Sequence, residues 1–456
     1  MCGKAGSSFT IGDKHGPAYL RYEPSSPCHS PTPAIDSEPL PTRDLARIFR
    51  WLPVQHSLGW LAAVSRNGAS RLEQICETYE RADIPLLDRC QFLLPHVLIS
   101  QCLKRAGLNK ERIKTRVFHD PAVMRALAVL AGSIVRYGLT VPQEFVLPVL
   151  AVWKISRACN LNCQHCCDKS DRSPGHGELS LPEKLGIVDE LATAGVPFLR
   201  LAGGEPLLCP DIWPVIEYAQ KRRIHVAIAS NGTLVDSALA ARLVKSGVRY
   251  FEVNLLSLDA TEHDTLRGRP GAWAESVAGI KNLVNAGMRT GLAMPFPEGA
   301  VHGINTAVQF AKELGCEGFS WFSLKQEDNG ERSVNPRSVL FGRNGLRQSP
   351  ASPSRERRIA VISPPSELRL AGIFPGWPRG RSCNVHAAKG AHREDTEGPR
   401  NTEMWRPRGC FCAIQPNGDV TPGVDDRLPA FANLRNARLT KIWCGQSKML
   451  AERAAE

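Results

Sequence analysis

Four cysteines, three of them spaced to share one centre, fall in one short loop, Arg157-Ala158-Cys159-Asn160-Leu161-Asn162-Cys163-Gln164-His165-Cys166-Cys167. Thiolates select soft metals and iron–sulfur chemistry, and Cys159, Cys163 and Cys166 can converge on a single centre with no help from elsewhere in the chain. Three ligands on a four-iron cluster leave one iron open. An uncoordinated corner separates a catalytic centre from a closed structural one, the logic familiar from zinc, and it can bind substrate or cofactor. The competing readings are a zinc knuckle and incidental core thiols. Zinc would want a fourth Cys or His at knuckle spacing, and Cys167 lies too close to Cys166 to chelate well beside it.

The loop needs a scaffold, and the surrounding sequence supplies one. After Pro142 short β-rich runs (VLPVLAVWKIS, PFLRLAG, IHVAIAS, YFEVNLLSL, GLAMPF and GFSWFSL) alternate with helical stretches beginning near Pro182, Asp211, Asp236, Ala272 and Asn305. That is the pattern of parallel strands with helical crossovers. Six β/α units are too few for a full eight-stranded barrel and suit an open, three-quarter one; a doubly wound sheet has the same local pattern. In a barrel the chemistry sits at the carboxyl ends of the strands. The cysteine loop follows the first.

Upstream, residues 41–141 carry apolar side chains at helical spacing, with Asp120-Pro121 placed as an N-cap and first-turn pair. Cys76, Cys90 and Cys102 lie on these apolar faces and read as buried structural thiols. Residues 1–40, rich in Ser, Pro and Gly, read as a disordered leader without a secretory signal's apolar core.

With 43% hydrophobic and 22% charged residues in 456, the chain has enough apolar surface for a sizeable core, and no stretch is apolar for long enough to span a membrane. Fifteen cysteines in such a chain point to metal ligation or catalysis in a reducing, cytoplasmic setting. The net charge of +12 raises the question of nucleic acid. Yet residues 337–408 hold 14 basic against 6 acidic residues, so most of the excess belongs to one Pro- and Arg-rich stretch. We read 327–380 as a basic linker or insert, and expect neither a nucleic-acid nor a membrane partner.

The loop CNLNCQHC, then Gly203-Gly204-Glu205-Pro206 after the second strand, Ser230-Asn231-Gly232-Thr233 after the third, and Ser257-Leu258-Asp259 leading into HDTLRGRPGAW after the fourth, resembles the radical S-adenosylmethionine (SAM) superfamily. The resemblance covers 148 to about 325 and rests on the order of the motifs. It implies a partial (β/α)6 TIM-like barrel over 142–326. Cys159, Cys163 and Cys166 would hold a [4Fe–4S] cluster whose open iron S-adenosylmethionine chelates. His165 would lie against the adenine, Gly203 and Gly204 would let backbone approach the methionine, and Glu205 would accept from its ammonium. Asn231, Ser257 and Arg267 would contact the ribose or carboxylate. Where relatives commonly carry an aromatic residue after the third cysteine, this chain has Cys167, read as a packing substitution.

Residues 381–456 resemble the small cysteine-containing extension called SPASM, which binds auxiliary iron–sulfur clusters. A hairpin is predicted around Asn417-Gly418. Cys383, Cys410 and Cys412 are the candidate auxiliary ligands, but the hairpin ends in Pro422-Gly423 where the family has Pro-Cys, and glycine cannot ligate. Cys209, Cys316 and Cys444 read as core thiols.

The implied activity is that of an oxidoreductase or maturase. An external one-electron donor, flavodoxin- or ferredoxin-like, reduces the cluster; S-adenosylmethionine is cleaved to a 5′-deoxyadenosyl radical, which abstracts hydrogen from a peptide or a small tetrapyrrole-like substrate. The alternative is a noncatalytic iron–sulfur or zinc protein with a degenerate auxiliary site.

Overall fold

Alternation along the strands decides the architecture. The computed structural model describes residues 52–63, 69–79, 120–138, 143–163, 177–297, 301–326, 332–340, 410–421 and 430–443, with 93, 95–97, 100, 101, 118 and 166 individually. The leader, the stretch 341–409 with Cys383, and His165, Cys167, Cys90, Cys102, Gly423 and Cys444 lie outside the described residues. Helices α1 (Leu52–Ala62), α2 (Arg71–Thr78) and α3 (Pro121–Tyr137) precede β1 (Leu150–Ser156). Then follow α4 (Leu181–Ala194), β2 (Phe198–Gly203), α5 (Ile212–Lys221), β3 (His225–Ser230), α6 (Ser237–Lys245) and β4 (Tyr250–Asn254). The series closes with α7 (Ala260–Arg267), α8 (Ala272–Asn285), β5 (Thr290–Pro297), α9 (Val301–Glu313) and β6 (Gly318–Gln326).

Strands β1 to β6 pair in parallel, each with the next in the sequence. Residues in register share a face of the sheet. On one face Trp153 stands beside Leu201, Leu201 beside Ile228, Ile228 beside Phe251, and Val253, Leu292 and Phe319 continue the row. All are buried against the helices in one core. The other face carries small and polar residues: Lys154 beside Ala202, Arg200 beside Ala227, Glu252 beside Gly291. A doubly wound sheet reverses its strand order at a switch point. Here the order never reverses, and right-handed crossovers then put every helix on the same side. The result is a partial barrel, as the sequence implies.

The sheet does not stop at the six strands. β7 (Arg332–Leu340) runs antiparallel to β6, so the stretch read as a linker opens with a strand. At the opposite edge β8 (Phe411–Ile414) pairs in parallel with β1, and β9 (Asp419–Thr421) and β10 (Ala432–Asn433) extend the sheet antiparallel. The predicted hairpin forms at Asn417-Gly418, with Gly418 at φ 90°. Its described part is continuous with the barrel sheet: Val149 and Leu150 N–H both donate to the Cys410 carbonyl, at 2.8 and 3.1 Å, and Leu179 N–H donates to Pro416 O at 2.9 Å. Trp443, 2% exposed, donates its indole N–H to Phe145 O at 3.0 Å.

In the N-terminal region α2 begins at Ser70, which forms a reciprocal capping box with Glu73, and α3 begins at Asp120, whose carboxylate accepts from Ala122 and Val123 N–H. Burial pushes the Cys76 thiol up to about 12, as befits a core thiol. Glu73, fully buried, pairs with Arg125 at 3.4 Å, and Arg125 donates to Arg222 O at the end of α5.

Trp443→Ala removes a large buried side chain and the bond that ties the C-terminal segment to the start of β1. It should cost about 3–5 kcal/mol, read as a lower urea midpoint by tryptophan-independent far-UV circular dichroism.

Candidate functional site

The loops at the carboxyl ends of β1 to β4 meet, and each is held by its neighbour. Gly204 N–H donates to Ser156 O at 3.0 Å and Glu205 N–H to Ala158 O at 2.7 Å, so the glycine turn after β2 lies directly on the entrance to the cysteine loop. A Cβ on Gly203 would overlap the Ser156 carbonyl, and one on Gly204 the carbonyls of Arg157 and Ala158. Gly203 also sits at φ 125°, where an L side chain is strained. The two glycines therefore allow a close backbone-to-backbone approach within the protein.

Glu205 is fully buried. Its Oε1 accepts from Leu207 N–H at 3.1 Å and Ser230 Oγ at 2.9 Å, and its Oε2 accepts from Asn231 N–H at 2.9 Å. Burial pushes its carboxyl up; the bonds from Asn231, Leu207 and Ser230 and the charge of Arg267 pull it back. In this arrangement the carboxylate is a strut between the β2 and β3 loops.

Asn231 carries the tie onward. Its Nδ2 donates to Asn160 Oδ1 at 2.9 Å, Asn160 Nδ2 donates to Thr233 Oγ1 at 2.8 Å, and Thr233 N–H donates to Asn231 Oδ1 at 2.9 Å. The β3 loop thus grips the residue that follows Cys159. Sequence reasoning missed Asn160, although its amide between two cysteines offered a signal. It also missed Glu178, whose Oε1 accepts from Arg157 N–H at 2.8 Å and steadies the same loop.

Two further candidates, Ser257 and Arg267, flank the fourth loop. The Ser257 hydroxyl accepts from Asp259 N–H at 3.0 Å and donates to Glu262 at 2.6 Å, beside Asp259, which caps α7. Arg267, 8% exposed at the end of α7, donates through Nη1 to Cys163 Sγ at 3.4 Å and through Nη2 to the Asn254 carbonyl. Its own carbonyl accepts from Asn162 N–H at 3.1 Å. His263, one turn earlier on the same buried face, accepts from Leu256 N–H on Nδ1 at 3.1 Å, and burial holds it neutral with a pKa of about 4.

The cysteines themselves sit at graded depth. Cys159 is 8% exposed, while Cys163 and Cys166 are half-buried, and Cys166 N–H donates to Cys163 O at 3.3 Å. Burial pushes the Cys159 thiol up to about 11, and the nearby Glu205, Cys163 and Cys166 push the same way. Three thiols thus sense one another electrostatically, beside one guanidinium. Among the described residues no group of three or more His, Cys, Asp and Glu side chains is gathered closely enough to hold a single metal ion. A cube with its iron atoms at separate corners asks for a wider spread of thiolates, and the donor set fits it in kind and number.

The hairpin cysteines are not gathered with these. Cys412 lies on β8 inside the main apolar core, and burial pushes its thiol up to about 12. Cys412 thus packs among apolar side chains, at the place where the hairpin motif puts an auxiliary ligand. Cys410 is buried at the mouth of β8, and Cys209 and Cys316 are core thiols, as expected.

The sequence model of the radical SAM superfamily matches residues 153–309. An AdoMet-dependent heme synthase of Methanosarcina barkeri is 34% identical over 186 residues, 41% of this chain and 53% of that protein. One from Nitratidesulfovibrio vulgaris is 30% identical over 312 residues, 64% of this chain and 78% of that protein. The mycofactocin maturase MftC of Mycobacterium ulcerans is 36% identical over 141 residues, 31% of this chain and 37% of that protein. The match thus spans about half of the first relative, most of the second and little over a third of the third.

Glu205 sets a pH signature. Its folded pKa lies above the ordinary 4.5, so its contribution to stability is complete below 4.5 and is lost as pH rises through the raised value. Urea midpoints of the wild type should fall across that window relative to Glu205→Gln, which removes the titration; parallel curves would show that the carboxyl is not desolvated.

Proposed function

The chain belongs to the radical SAM superfamily, and from that premise we propose that it is a cytoplasmic enzyme acting on a tetrapyrrole-like substrate. Its cofactors are a [4Fe–4S] cluster and S-adenosylmethionine. The observation that carries the reading is the interlock of the cysteine loop with the loops after β2, β3 and β4 at the carboxyl ends of parallel strands, where barrel enzymes keep their chemistry.

In this reading Cys159, Cys163 and Cys166 hold the cluster as thiolates, deprotonated on binding despite the burial that raises Cys159. Arg267 orients Cys163 through its N–H···S contact and sets a positive charge beside the ligand. Asn160 and Asn231 fix the path of the loop between the first two cysteines. His165 would be the aromatic partner of the adenine, as the motif implies. Bound together, the two cofactors supply a 5′-deoxyadenosyl radical that abstracts hydrogen from the substrate. A flavodoxin- or ferredoxin-like donor provides the electron. The tetrapyrrole is favoured because the heme-synthase relative aligns over most of its length; the kinship with a peptide maturase supports a peptide as the second reading.

The test is anaerobic reconstitution followed by dithionite and S-adenosylmethionine. The wild type should carry four iron atoms per cluster and release 5′-deoxyadenosine, while alanine at Cys159, Cys163 or Cys166 should abolish both. Stoichiometric zinc with no iron would overturn the reading. Arg267→Gln should keep its iron but show a lower midpoint potential in an EPR-monitored titration, since it removes a cation and a sulfur hydrogen bond; an unchanged potential would remove Arg267 from the cluster's surroundings.

A further inference from the structure

The inner face of the sheet carries chemistry that the cysteine loop does not use. A complete eight-stranded barrel fills its interior with layers of bulky branched side chains. Here that face has Ala202, Ala227, Ala229, Gly291, Ala293 and Gly318, small residues in place of the bulky ones of a filled barrel. Charged and hydroxyl-bearing side chains stand among them.

Ala227 is in register with Arg200 on one side and Tyr250 on the other, so those two flank an alanine. Arg200 Nη2 is paired with Glu252, whose side chain is only 10% exposed and whose Oε2 accepts from Ser320 Oγ at 3.1 Å. A nearly buried carboxylate, fixed from a third strand, therefore holds one corner of a guanidinium that has five N–H donors. The Arg200 side chain remains 36% exposed, with the rest of its fork turned to open space. Tyr250 reaches across β5 at Gly291, where a Cβ would overlap its hydroxyl. Among the described residues that hydroxyl has no hydrogen-bond partner, and burial raises its pKa so that it stays a donor. Lys154, 4% exposed, shares the face with Arg200 and Glu252.

A structural ion pair alone needs neither the half-exposed fork nor the row of small residues beside it. We propose that this lumen binds a carboxylate of the substrate, received by the open N–H groups of Arg200 and the Tyr250 hydroxyl, with Lys154 adding positive potential. Arg is suited to the task because its planar fork takes a carboxylate bidentately, and Glu252 keeps that fork aimed. Arg200 lies three residues before Gly203, so the site is about 10 Å below the cysteine loop at the rise of a strand. An acid arm held there leaves the substrate's body at the mouth. The inference rests on the proposed function and narrows its substrate to an acid. The carboxylate could belong to a tetrapyrrole side chain or to an acidic peptide.

The test uses the full-length, anaerobically reconstituted protein and three probes: mesoporphyrin IX, its dimethyl ester, and a glutamate-rich peptide as competitor. The porphyrin acid should bind at least tenfold more tightly than the ester, the worth of a charge-assisted bond. Arg200→Gln and Tyr250→Phe should each erode that preference while ester affinity holds, and Arg200→Lys should restore part of it. Tyr250→Phe disturbs no ion pair and guards against misfolding in the arginine variant. Peptide binding that depends on Arg200, with no porphyrin binding, would keep the site and assign the acid to a peptide. Equal affinity for acid and ester, a preference surviving both substitutions, or no binding of any probe would overturn the inference. The iron content of the same preparations reports on the proposed function separately, so the two can fail independently.

Discussion

A carboxylate with no access to water holds the candidate site together. Glu205 accepts from the β2 loop, from Ser230 and from the Asn231 backbone. Each bond is made in a medium where leaving a polar group unpaired is expensive. Because Asn231 in turn holds Asn160, the position of the cysteine loop is set two hydrogen bonds away from any thiol. The glycines before Glu205 belong to the same arrangement, since their missing side chains let the β2 turn close onto Ser156 and Ala158.

Much of the fold was legible because parallel strands with crossovers leave a strong period in the sequence. The strand runs, the Asp120 cap and the Asn417-Gly418 turn all appear where the residues put them. The destination of the C-terminal hairpin was not legible. Nothing in FCAI announces a parallel partner more than 250 residues upstream, because pairing across that distance is a property of the assembled edge and not of local propensity. For the same reason the spacing of Cys412 did not show that β8 carries it into the main apolar core.

The site residues were legible as a set, less so in their roles. Motif order brought Glu205, Asn231, Ser257 and Arg267 to the same end of the barrel, yet Glu205 and Ser257 spend their polar groups on the protein itself. Short sequence motifs record which loops must meet. They do not say whether a conspicuous polar residue faces the ligand or braces the loop that does. Glu178 and the Arg200–Glu252 pair carried no motif, and only the folded chain shows what they and Asn160 adjoin.

The parallel pairing of β1 with β8 also bears on how the chain is made. During synthesis the first barrel strand emerges with one edge soon satisfied by β2, while the other waits for residues near the far end of the polypeptide. An open edge on a nascent chain is a template for wrong partners, and closing such a large loop slows folding. β1 therefore keeps one edge unpaired until β8, more than 250 residues downstream, has been made.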